Sequence, residues 1–397
     1  MSAPGRQLGV IVLGATGSVG RQSLEVLAAY PQRFRLVGLA AHRRADRMAE
    51  LIERYEAGTA VMSDLEAAGE LEALVGSRSR VTIEAGEEAI DALVRRDDVD
   101  VVIAAIVGRA GLESTFAAVE AGKRIALANK ESLVMAGELL VPLARECGAR
   151  FQPVDSEHAA AVQLLRGIDP AMLSRLILTA SGGPFRGRSR DELAAVTVQD
   201  ALDHPNWRMG EKISIDSATM MNKAFEVIEA HWLFGLPPDR ISVLLHPESL
   251  VHALVELRDG SVLAQMGPAD MRVAIGQALG GGELDLTECL QGFGQLDLAR
   301  VGHLSFQPAD EASFPALRIG RQALETGMGA PAVLSVADEI LVGAFLDGRI
   351  GFLSIADGLE AVMQRYRPSP VRSLEDVLEA GREGERLARD LLSGAAR

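Results

Sequence analysis

The chain has 397 residues, of which 48% are hydrophobic, and its formal net charge is −15. The length predicts two or three domains at roughly 150 residues each, and the hydrophobic content predicts well-packed cores. The acidic balance argues against a general affinity for nucleic acid or for an anionic membrane surface, because binding to phosphates requires a basic footprint. Local basic pockets are compatible with this balance.

The two cysteines, Cys147 and Cys289, belong to neither a CxxC nor a zinc pattern. We interpret them as buried structural thiols in a reducing compartment. The apolar run at residues 8–13 begins close to the N-terminus and leaves no room for a signal peptide. No apolar run approaches the roughly 20 residues that a membrane span needs. We therefore expect a cytoplasmic protein without a membrane partner.

The first part of the chain alternates short apolar runs with amphipathic stretches. The apolar runs lie at residues 9–13, 36–40, 99–105 and 124–128. Such alternation is typical of a doubly wound, Rossmann-type parallel sheet. We assign residues 1–150 to a domain of this kind.

A glycine-rich loop follows the first predicted strand and begins a helix. Its sequence, GATGSVG at residues 14–20, is a GxxGxxG variant of the dinucleotide-binding loop. The glycines permit a tight turn and a close approach of the backbone to a pyrophosphate, whose charge the helix N-terminus favours. The alternative is a glycine-rich turn without a ligand.

The end of the second predicted strand carries His42, Arg43 and Arg44. An NAD enzyme usually places an acidic residue there, on the ribose hydroxyls. Two guanidinium groups suit a 2′-phosphate, so the predicted cofactor is NADPH. In the alternative interpretation, both arginines are solvated surface residues.

A pair of acidic residues lies in the run FQPVDSEH at residues 151–158. If this run is an extended strand, Asp155 and Glu157 lie on one face and can bind one ion. Carboxylates without nearby cysteine or histidine ligands suit Mg²⁺ or Mn²⁺. Glu226 is the candidate for a third oxygen ligand. An isolated D-x-E pair is otherwise an ordinary exposed pair of acids.

Residues 151–285 are predicted to form an α+β domain, with strands at 176–180, 241–245 and 261–266 and a helix at 218–234. Ser181 and two glycines end the first of these strands and predict an anion-binding nest, although Ser-Gly-Gly is also a common turn. Ser217 is expected at the start of the helix, where a phosphate is favoured.

Three polar residues of that helix, Asn222, Lys223 and Glu226, have spacings of three and four. This spacing allows all of them to face one cleft. Pairs of this kind are usually simple surface salt bridges. Here the neighbouring residues are apolar, so the spacing favours the lining of a pocket.

The run DHPNWRMG at residues 203–210 has the composition of a closing lid. We expect Trp207 and Met209 to cover a ligand and His204 to reach one of its polar groups. Alternatively, Trp207 packs the loop onto its own domain.

The remaining chain is predicted as a connector at 286–312 and a helical domain at 313–397. Pro315 is a candidate first-turn proline, Gly327 a helix stop, and residues 373–376 (SLED) a capping box.

Eight motifs occur in an order that resembles the 1-deoxy-D-xylulose 5-phosphate reductoisomerase family. They are GATGSVG, LANKESLV, PVDSEH, SGGPFR, HPNWRMG, DSATMMNKAFE, HPESLVH and DGSVLAQMG. The resemblance implies a V-shaped homodimer that uses NADPH and Mg²⁺ or Mn²⁺. It also implies a two-part reaction on a phosphorylated sugar, in which the skeleton rearranges and hydride transfer from NADPH then gives 2-C-methyl-D-erythritol 4-phosphate.

The resemblance further implies roles for individual residues. The metal ligands would be Asp155, Glu157 and Glu226. The substrate contacts would be Lys130, Ser156, Glu157, Ser181, His204, Trp207, Ser217, Asn222, Lys223 and Glu226, with Lys130 assisting proton transfer. The NADPH contacts would be Thr16, Gly17, Ser18, Val19, His42, Arg43, Arg44, Asn129, Glu131 and Gly210.

Two other functions remain as alternatives. One is a different NADP-linked reductase of a small phosphorylated substrate, which would share the glycine loop but would not need three carboxylates. The other is a non-catalytic NADP-binding sensor, for which loss of a carboxylate or of Lys223 would be the sign in the sequence. Both the carboxylates and Lys223 are present.

Overall fold

The structure is a computed structural model that describes residues 6–76, 80–203, 210–281, 284–287 and 296–394. These residues form two compact units. Unit 1 takes residues up to Asn129 together with Leu140–Ala159 and the segment that begins at Asp270. Unit 2 takes Lys130–Leu139, Ala160–Ala269 and the C-terminal part of the chain. Within the described residues, no helix has the length and apolar character that a membrane span requires.

Unit 1 is built around a seven-stranded sheet in which every pairing is parallel. Its strands are β1 (Leu8–Leu13), β2 (Phe34–Ala41), β3 (Thr59–Met62), β4 (Thr82–Ala85), β5 (Val101–Ala104), β6 (Arg124–Leu127) and β7 (Arg150–Pro153). The helices that follow these strands are α1 (Ser18–Ala29), α2 (Ala45–Tyr55), α3 (Leu65–Val75), α4 (Glu87–Arg95), α5 (Leu112–Glu120), α6 (Lys130–Cys147) and α7 (Ser156–Leu165).

The strand order is β4-β3-β2-β1-β5-β6-β7. It reverses between β1 and β5, and such a switch point is where doubly wound sheets bind ligands. Helices cover both faces of such a sheet, so its central strands are apolar without alternation. In β1, Val10, Ile11 and Val12 are fully buried. The predicted Rossmann-type sheet is confirmed, but the short strands β3 and β4 were not predicted.

Unit 2 contains a five-stranded mixed sheet in the order β11-β10-β8-β9-β12. Its strands are β8 (Leu173–Ala180), β9 (Ile241–Leu245), β10 (Val251–Leu257), β11 (Val262–Met266) and β12 (Gln307–Pro308). The pairing of β8 with β9 is parallel and the others are antiparallel. The predicted α+β character is confirmed, whereas β10 and the two-residue strand β12 were not predicted.

The helices between the strands of unit 2 differ from the prediction at one point. The short helices α8 (Arg190–Leu193) and α9 (Val198–Leu202) come first, then α10 (Glu211–Thr219) and α11 (Met221–Phe234). The single helix predicted at 218–234 is therefore wrong at its start. Met220 has a left-handed φ of 66° and separates α10 from α11. Neither glycine nor proline marks this break in the sequence.

After α12 (Met271–Gly280) and α13 (Leu298–Val301), the chain ends in four helices. They are α14 (Ala316–Thr326), α15 (Ala330–Leu346), α16 (Leu353–Arg365) and α17 (Leu374–Gly394). Pro315 directly precedes α14, and Gly327 ends it with a φ of 58°. The Ser373 hydroxyl accepts a hydrogen bond from the Asp376 amide at 3.2 Å, as expected of a cap. The helical C-terminal region is thus confirmed, and the predicted domain boundaries stay predictions.

Candidate active site

The glycine loop turns from β1 into α1 at the switch point of the parallel sheet. Gly14 has a φ of 78°, and a Cβ at this position would lie 2.3 Å from the carbonyl oxygen of Ala105. A Cβ on Gly20 would lie 2.4 Å from the Gly14 carbonyl oxygen. Only glycine fits at either position. A turn of partly exposed backbone therefore precedes and begins α1, at Thr16, Gly17, Ser18 and Val19. We call this turn the glycine cradle, and it fits a dinucleotide pyrophosphate.

The basic run follows β2 directly, as predicted. The Arg44 guanidinium donates a hydrogen bond to the Thr16 carbonyl oxygen at 3.3 Å, so it lies over the glycine loop. Arg43 pairs with Asp64 at 2.8 Å. This hydrogen bond raises the pKa of Arg43 and lowers the pKa of Asp64. His42 Nδ1 lies 2.9 Å from the Ser63 hydroxyl.

Asn129 lies between β6 and α6. It is buried, and its side-chain amide donates a hydrogen bond to the Gly108 carbonyl oxygen at 2.8 Å and another to the Ile106 carbonyl oxygen. These bonds fix the turn after β6 to the segment that follows β5. Both segments lie at the carboxyl ends of neighbouring strands, where a doubly wound sheet binds its ligand.

The carboxylate pair has a different backbone from the one predicted. β7 ends at Pro153 and α7 begins at Ser156. Asp155 and Glu157 are therefore not neighbours on one face of a strand, and that argument is wrong. Asp155 caps α7 through the hydrogen bond from the Ala159 amide to its carbonyl oxygen at 2.8 Å. The Ser156 hydroxyl donates to the Glu157 carboxylate.

Both acids of this pair are partly exposed and lie at the carboxyl end of a parallel strand. A helix N-terminus favours their negative charge. Their oxygen donors fit a hard divalent ion. His158, the next residue, is fully buried, with Nδ1 at 3.9 Å from an Asp155 oxygen.

In unit 2, a buried polar cluster joins the start of α6 to the first turns of α11. Lys130 Nζ donates a hydrogen bond to the Asn222 side-chain oxygen at 2.9 Å and lies 3.5 Å from a Glu226 oxygen. Asn222 donates to the same Glu226 carboxylate at 2.6 Å, and Lys223 donates to its other oxygen. Lys130, Lys223 and Glu226 are at most 6% exposed. The predicted grouping on α11 is a buried cluster and not a surface salt bridge.

The position of α6 beside α11 depends on a glycine. A Cβ on Gly137 would lie 2.3 Å from Cδ1 of Trp232, which belongs to α11. Ala136, one residue earlier, has non-helical angles of φ −134° and ψ 19°, so α6 is kinked there. The kink and the missing side chain let the Trp232 indole pack against the helix that begins with Lys130.

The Ser-Gly-Gly nest follows β8, as predicted. Gly182 and Gly183 have φ values of 84° and 65°, and the Gly183 amide donates to the Ser181 hydroxyl at 3.2 Å. A Cβ on Gly183 would lie 2.7 Å from the Ser217 carbonyl oxygen. The nest therefore packs directly against the backbone of Ser217.

Ser217 does not begin the helix that carries Asn222. It lies near the end of α10, because Met220 interrupts the helix. The N-terminus that favours an anion belongs instead to α11, whose first turn contains Asn222 and Lys223. The argument from the helix dipole therefore applies to α11 and not to Ser217.

The lid residues His204, Trp207 and Met209 lie outside the described residues. Gly210, a predicted cofactor contact, caps α10. Glu131 is buried in the first turn of α6. Cys147 is partly exposed and therefore differs from the buried thiol that was expected, and Cys289 lies outside the described residues.

Sequence reasoning missed a buried ionic cluster in unit 2. Lys212 Nζ lies 2.5 Å from an Asp216 oxygen and 2.8 Å from an Asp338 oxygen. The spacing of four between Lys212 and Asp216 was visible in the sequence. The sequence offers no sign that Asp338, in α15, completes the cluster.

Comparison with known proteins gives matches along nearly the whole chain. Family models described as 1-deoxy-D-xylulose 5-phosphate reductoisomerase and its C-terminal domains match residues 10–137, 151–234 and 266–387. A curated reductoisomerase from Burkholderia multivorans is 48% identical over 387 residues, which cover 97% of this chain and 96% of the relative. The chain belongs to the 1-deoxy-D-xylulose 5-phosphate reductoisomerase family.

Solved structures of the family have the same fold. The Zymomonas mobilis reductoisomerase in complex with NADPH is 40% identical, with a TM-score of 0.89 and coverage of 98% of this chain and 99% of that one. A DOX-P reductoisomerase in complex with NADPH, fosmidomycin and magnesium is 37% identical, with a TM-score of 0.90 and the same coverage. A curated relative from Chlorobium phaeobacteroides is 45% identical over 384 residues, covering 97% of this chain and 99% of the relative. The chain is therefore an NADP-dependent oxidoreductase of this family.

Proposed function

We propose that the chain converts 1-deoxy-D-xylulose 5-phosphate to 2-C-methyl-D-erythritol 4-phosphate with NADPH and Mg²⁺ or Mn²⁺. Family membership supports the reaction. The observation that carries the assignment of residues is the buried cluster of Lys130, Asn222, Lys223 and Glu226. The two buried lysines supply ammonium groups that can bind an anionic substrate by charge-assisted hydrogen bonds.

The substrate phosphate is proposed to bind where α11 begins. The first turn of α11 contributes the positive end of the helix dipole together with the side chains of Asn222 and Lys223. Ser181 and Ser217 are the hydroxyl partners, because the nest that contains Ser181 packs on the Ser217 backbone. Ser156 is proposed as a further substrate contact from the first turn of α7.

Asp155, Glu157 and Glu226 are the proposed metal ligands. Their oxygens are the donors that Mg²⁺ and Mn²⁺ prefer, and relatives bind magnesium. Such an ion supplies Lewis-acid stabilisation of negative charge on the carbonyl and hydroxyl oxygens of the sugar. Asn222 and Lys223 hold the Glu226 carboxylate in a fixed position through hydrogen bonds to its two oxygens.

Lys130 is the proposed proton donor or acceptor beside the sugar. Its Nζ is fixed by Asn222 at 2.9 Å and borders the Glu226 carboxylate. An ammonium group held in this way can keep or pass a proton at the reacting oxygens. His204 and Trp207 are proposed to close over the substrate, which would keep water away from the aldehyde before hydride transfer.

NADPH is proposed to bind in the glycine cradle of unit 1. The pyrophosphate would lie on the backbone from Thr16 to Val19, at the N-terminus of α1. Arg43 and Arg44 would bind the 2′-phosphate, with His42 beside them. Asn129, Glu131 and Gly210 are proposed as further contacts of the cofactor.

The assay that tests the function is oxidation of NADPH by the purified chain with 1-deoxy-D-xylulose 5-phosphate. We expect turnover with Mg²⁺ or Mn²⁺ and none after chelation of the metal. Turnover without a divalent ion would favour a different NADP-linked reductase. NADPH binding without turnover in any condition would favour a sensor and overturn the proposal.

Replacement of both arginines, Arg43→Ala with Arg44→Ala, tests the cofactor site. We expect the KM for NADPH to rise by roughly 10-fold or more and the preference over NADH to narrow, because charge-assisted contacts to the 2′-phosphate are lost. Steady-state kinetics with both cofactors measures this. Arg175→Ala, which removes an exposed arginine that pairs with Glu256, is the matched control. Unchanged discrimination between the cofactors would show that the two arginines are only solvated.

We also propose that the protein is a cytoplasmic homodimer. The edge strand β11 supports a dimer, because Val262 is 50% exposed and Leu263 is 41% exposed. An exposed apolar edge strand is a common site of self-association. Sedimentation of the wild type and of Leu263→Lys tests the dimer.

The proposed location in the cytoplasm is supported by the two cysteines, which form neither a disulfide pattern nor a zinc pattern in the sequence.

A further inference from the structure

The cluster of Lys212, Asp216 and Asp338 connects three helices of unit 2. Lys212 and Asp216 lie four residues apart in α10, and Asp338 lies in α15. Lys212 Nζ also lies 5.5 Å from the centre of the Phe225 ring, in α11, next to Glu226. The side chains of Asp216 and Asp338 are 5% and 0% exposed, and that of Lys212 is 17% exposed. A single ammonium group thus meets groups from α10, α11 and α15.

The charges of the cluster shift the pKa values of Asp216 and Lys212. Burial raises the pKa of Asp216 well above its ordinary value, and the neighbouring Asp338 carboxylate raises it further, against the effect of Lys212. Burial alone would lower the pKa of Lys212, but Asp216 and Asp338 outweigh it and raise that pKa. Glu131 is the other acid that acts on both groups. The environment therefore favours the protonated form of Asp216, because burial and the neighbouring carboxylate outweigh the effect of Lys212.

The helix held by this pair carries part of the proposed substrate site. Ser217 follows Asp216 directly, and its carbonyl packs on the nest of Ser181 through Gly183. Among the described residues, the ion pair between Lys212 and Asp338 links α10 to α15. A break at Met220 separates α10 from α11, so Ser217 does not belong to the helix that carries Asn222 and Lys223.

We propose that Lys212 and Asp338 are positioning residues that fix α10 to α15, so that Ser217 is placed to bind the substrate phosphate. The inference rests on the proposed substrate site and assigns to the C-terminal helical region a part in substrate binding. A buried ion pair is a weak source of stability, because desolvation opposes the attraction between the charges. Its expected contribution is geometrical, because the pair joins α10 to α15 at one fixed point.

Two single substitutions separate positioning from general charge effects. Asp338→Leu breaks the link to α15 and leaves Lys212 paired with Asp216 inside α10. Asp216→Asn removes one carboxyl group too, but it keeps the link to α15. Both variants therefore retain one lysine and one aspartate in the cluster, and only Asp338→Leu frees α10.

We expect Asp338→Leu to raise the KM for 1-deoxy-D-xylulose 5-phosphate by about 10-fold or more, with the KM for NADPH within about twofold of wild type. Asp216→Asn should keep both KM values near those of wild type. Hydrogen–deuterium exchange of residues 211–219 should be faster in Asp338→Leu than in Asp216→Asn. Equal KM values for the two variants, or equal exchange in α10, would overturn the proposal.

Two further measurements test the proposal even if Asp338→Leu does not fold or the wild type does not turn over the substrate. If Asp338→Leu does not fold, the pair Lys212→Met with Asp338→Leu replaces both charges by apolar side chains, and the same rise in KM is expected. A normal substrate KM in that folded double variant also contradicts the proposal. If the wild type does not turn over the sugar phosphate, the proposed function fails, whereas the exchange of α10 still tests the link to α15.

Discussion

Glu226→Gln should lower turnover by roughly 100-fold or more while the KM for NADPH stays unchanged. The substitution keeps the shape of a side chain that is 1% exposed and removes one negative charge. The remaining proposed ligands then bind the ion more weakly, and both lysines of the cluster lose their ion pair with Glu226. Activity should return in part at high Mn²⁺, because mass action compensates for weaker binding.

A titration of Mn²⁺ against activity, with wild type and variant side by side, measures this effect. Glu256→Gln is the matched control, since Glu256 is a half-buried acid that pairs with Arg175 at 2.7 Å on the sheet of unit 2. Glu256→Gln should lower the free energy of unfolding by about 1 kcal/mol or less and leave the Mn²⁺ titration unaltered. Identical activation curves for wild type and Glu226→Gln would refute the ligand role.

Gly14→Ala should abolish NADPH binding and lower the free energy of unfolding by about 3 kcal/mol or more. The added Cβ would lie 2.3 Å from the Ala105 carbonyl oxygen, and the residue would keep a φ of 78°. The turn after β1 must then shift, and with it the backbone proposed to hold the pyrophosphate.

Gly76→Ala separates the two causes of the lost stability, which are the positive φ and the close contact of the added Cβ. Gly76 has a φ of 67° but has nothing within 4 Å of an added Cβ, so only the conformational cost of about 1 kcal/mol applies. Chemical denaturation and fluorescence titration with NADPH measure both variants. A Gly14→Ala variant that loses no more stability than Gly76→Ala would show that the close approach to Ala105 is unimportant.

Much of unit 1 could be predicted because its signals are local. Parallel strands buried on both faces are continuous apolar runs, and the glycines at 14, 17 and 20 mark one turn at a known place in such a sheet. The basic run after β2 follows from the same topology. Strands β3 and β4 contain four residues each and lack a comparable signal.

Two errors at the candidate site have one physical cause, which is the position of a helix boundary. Asp155 and Glu157 straddle the start of α7, so the periodicity of a strand did not apply to them. Ser217 belongs to α10 because Met220, a residue with no special tendency to adopt a positive φ, takes one there. Tertiary packing determines both boundaries, and so does the pairing of Lys212 with Asp338, two residues separated by 126 positions.

The close contact between Gly137 and Trp232 restricts which pairs of residues these two positions can hold. Any side chain at 137 would collide with the indole 2.3 Å away, and Lys130 lies on the same helix as Gly137. A larger residue at 137 is therefore tolerable only with a smaller residue at 232. A selection for suppressors of Gly137→Ala should return substitutions at Trp232 before substitutions elsewhere in α11. Because residue 137 must lack a Cβ beside Trp232, the position of Lys130 depends on which residues occupy 137 and 232.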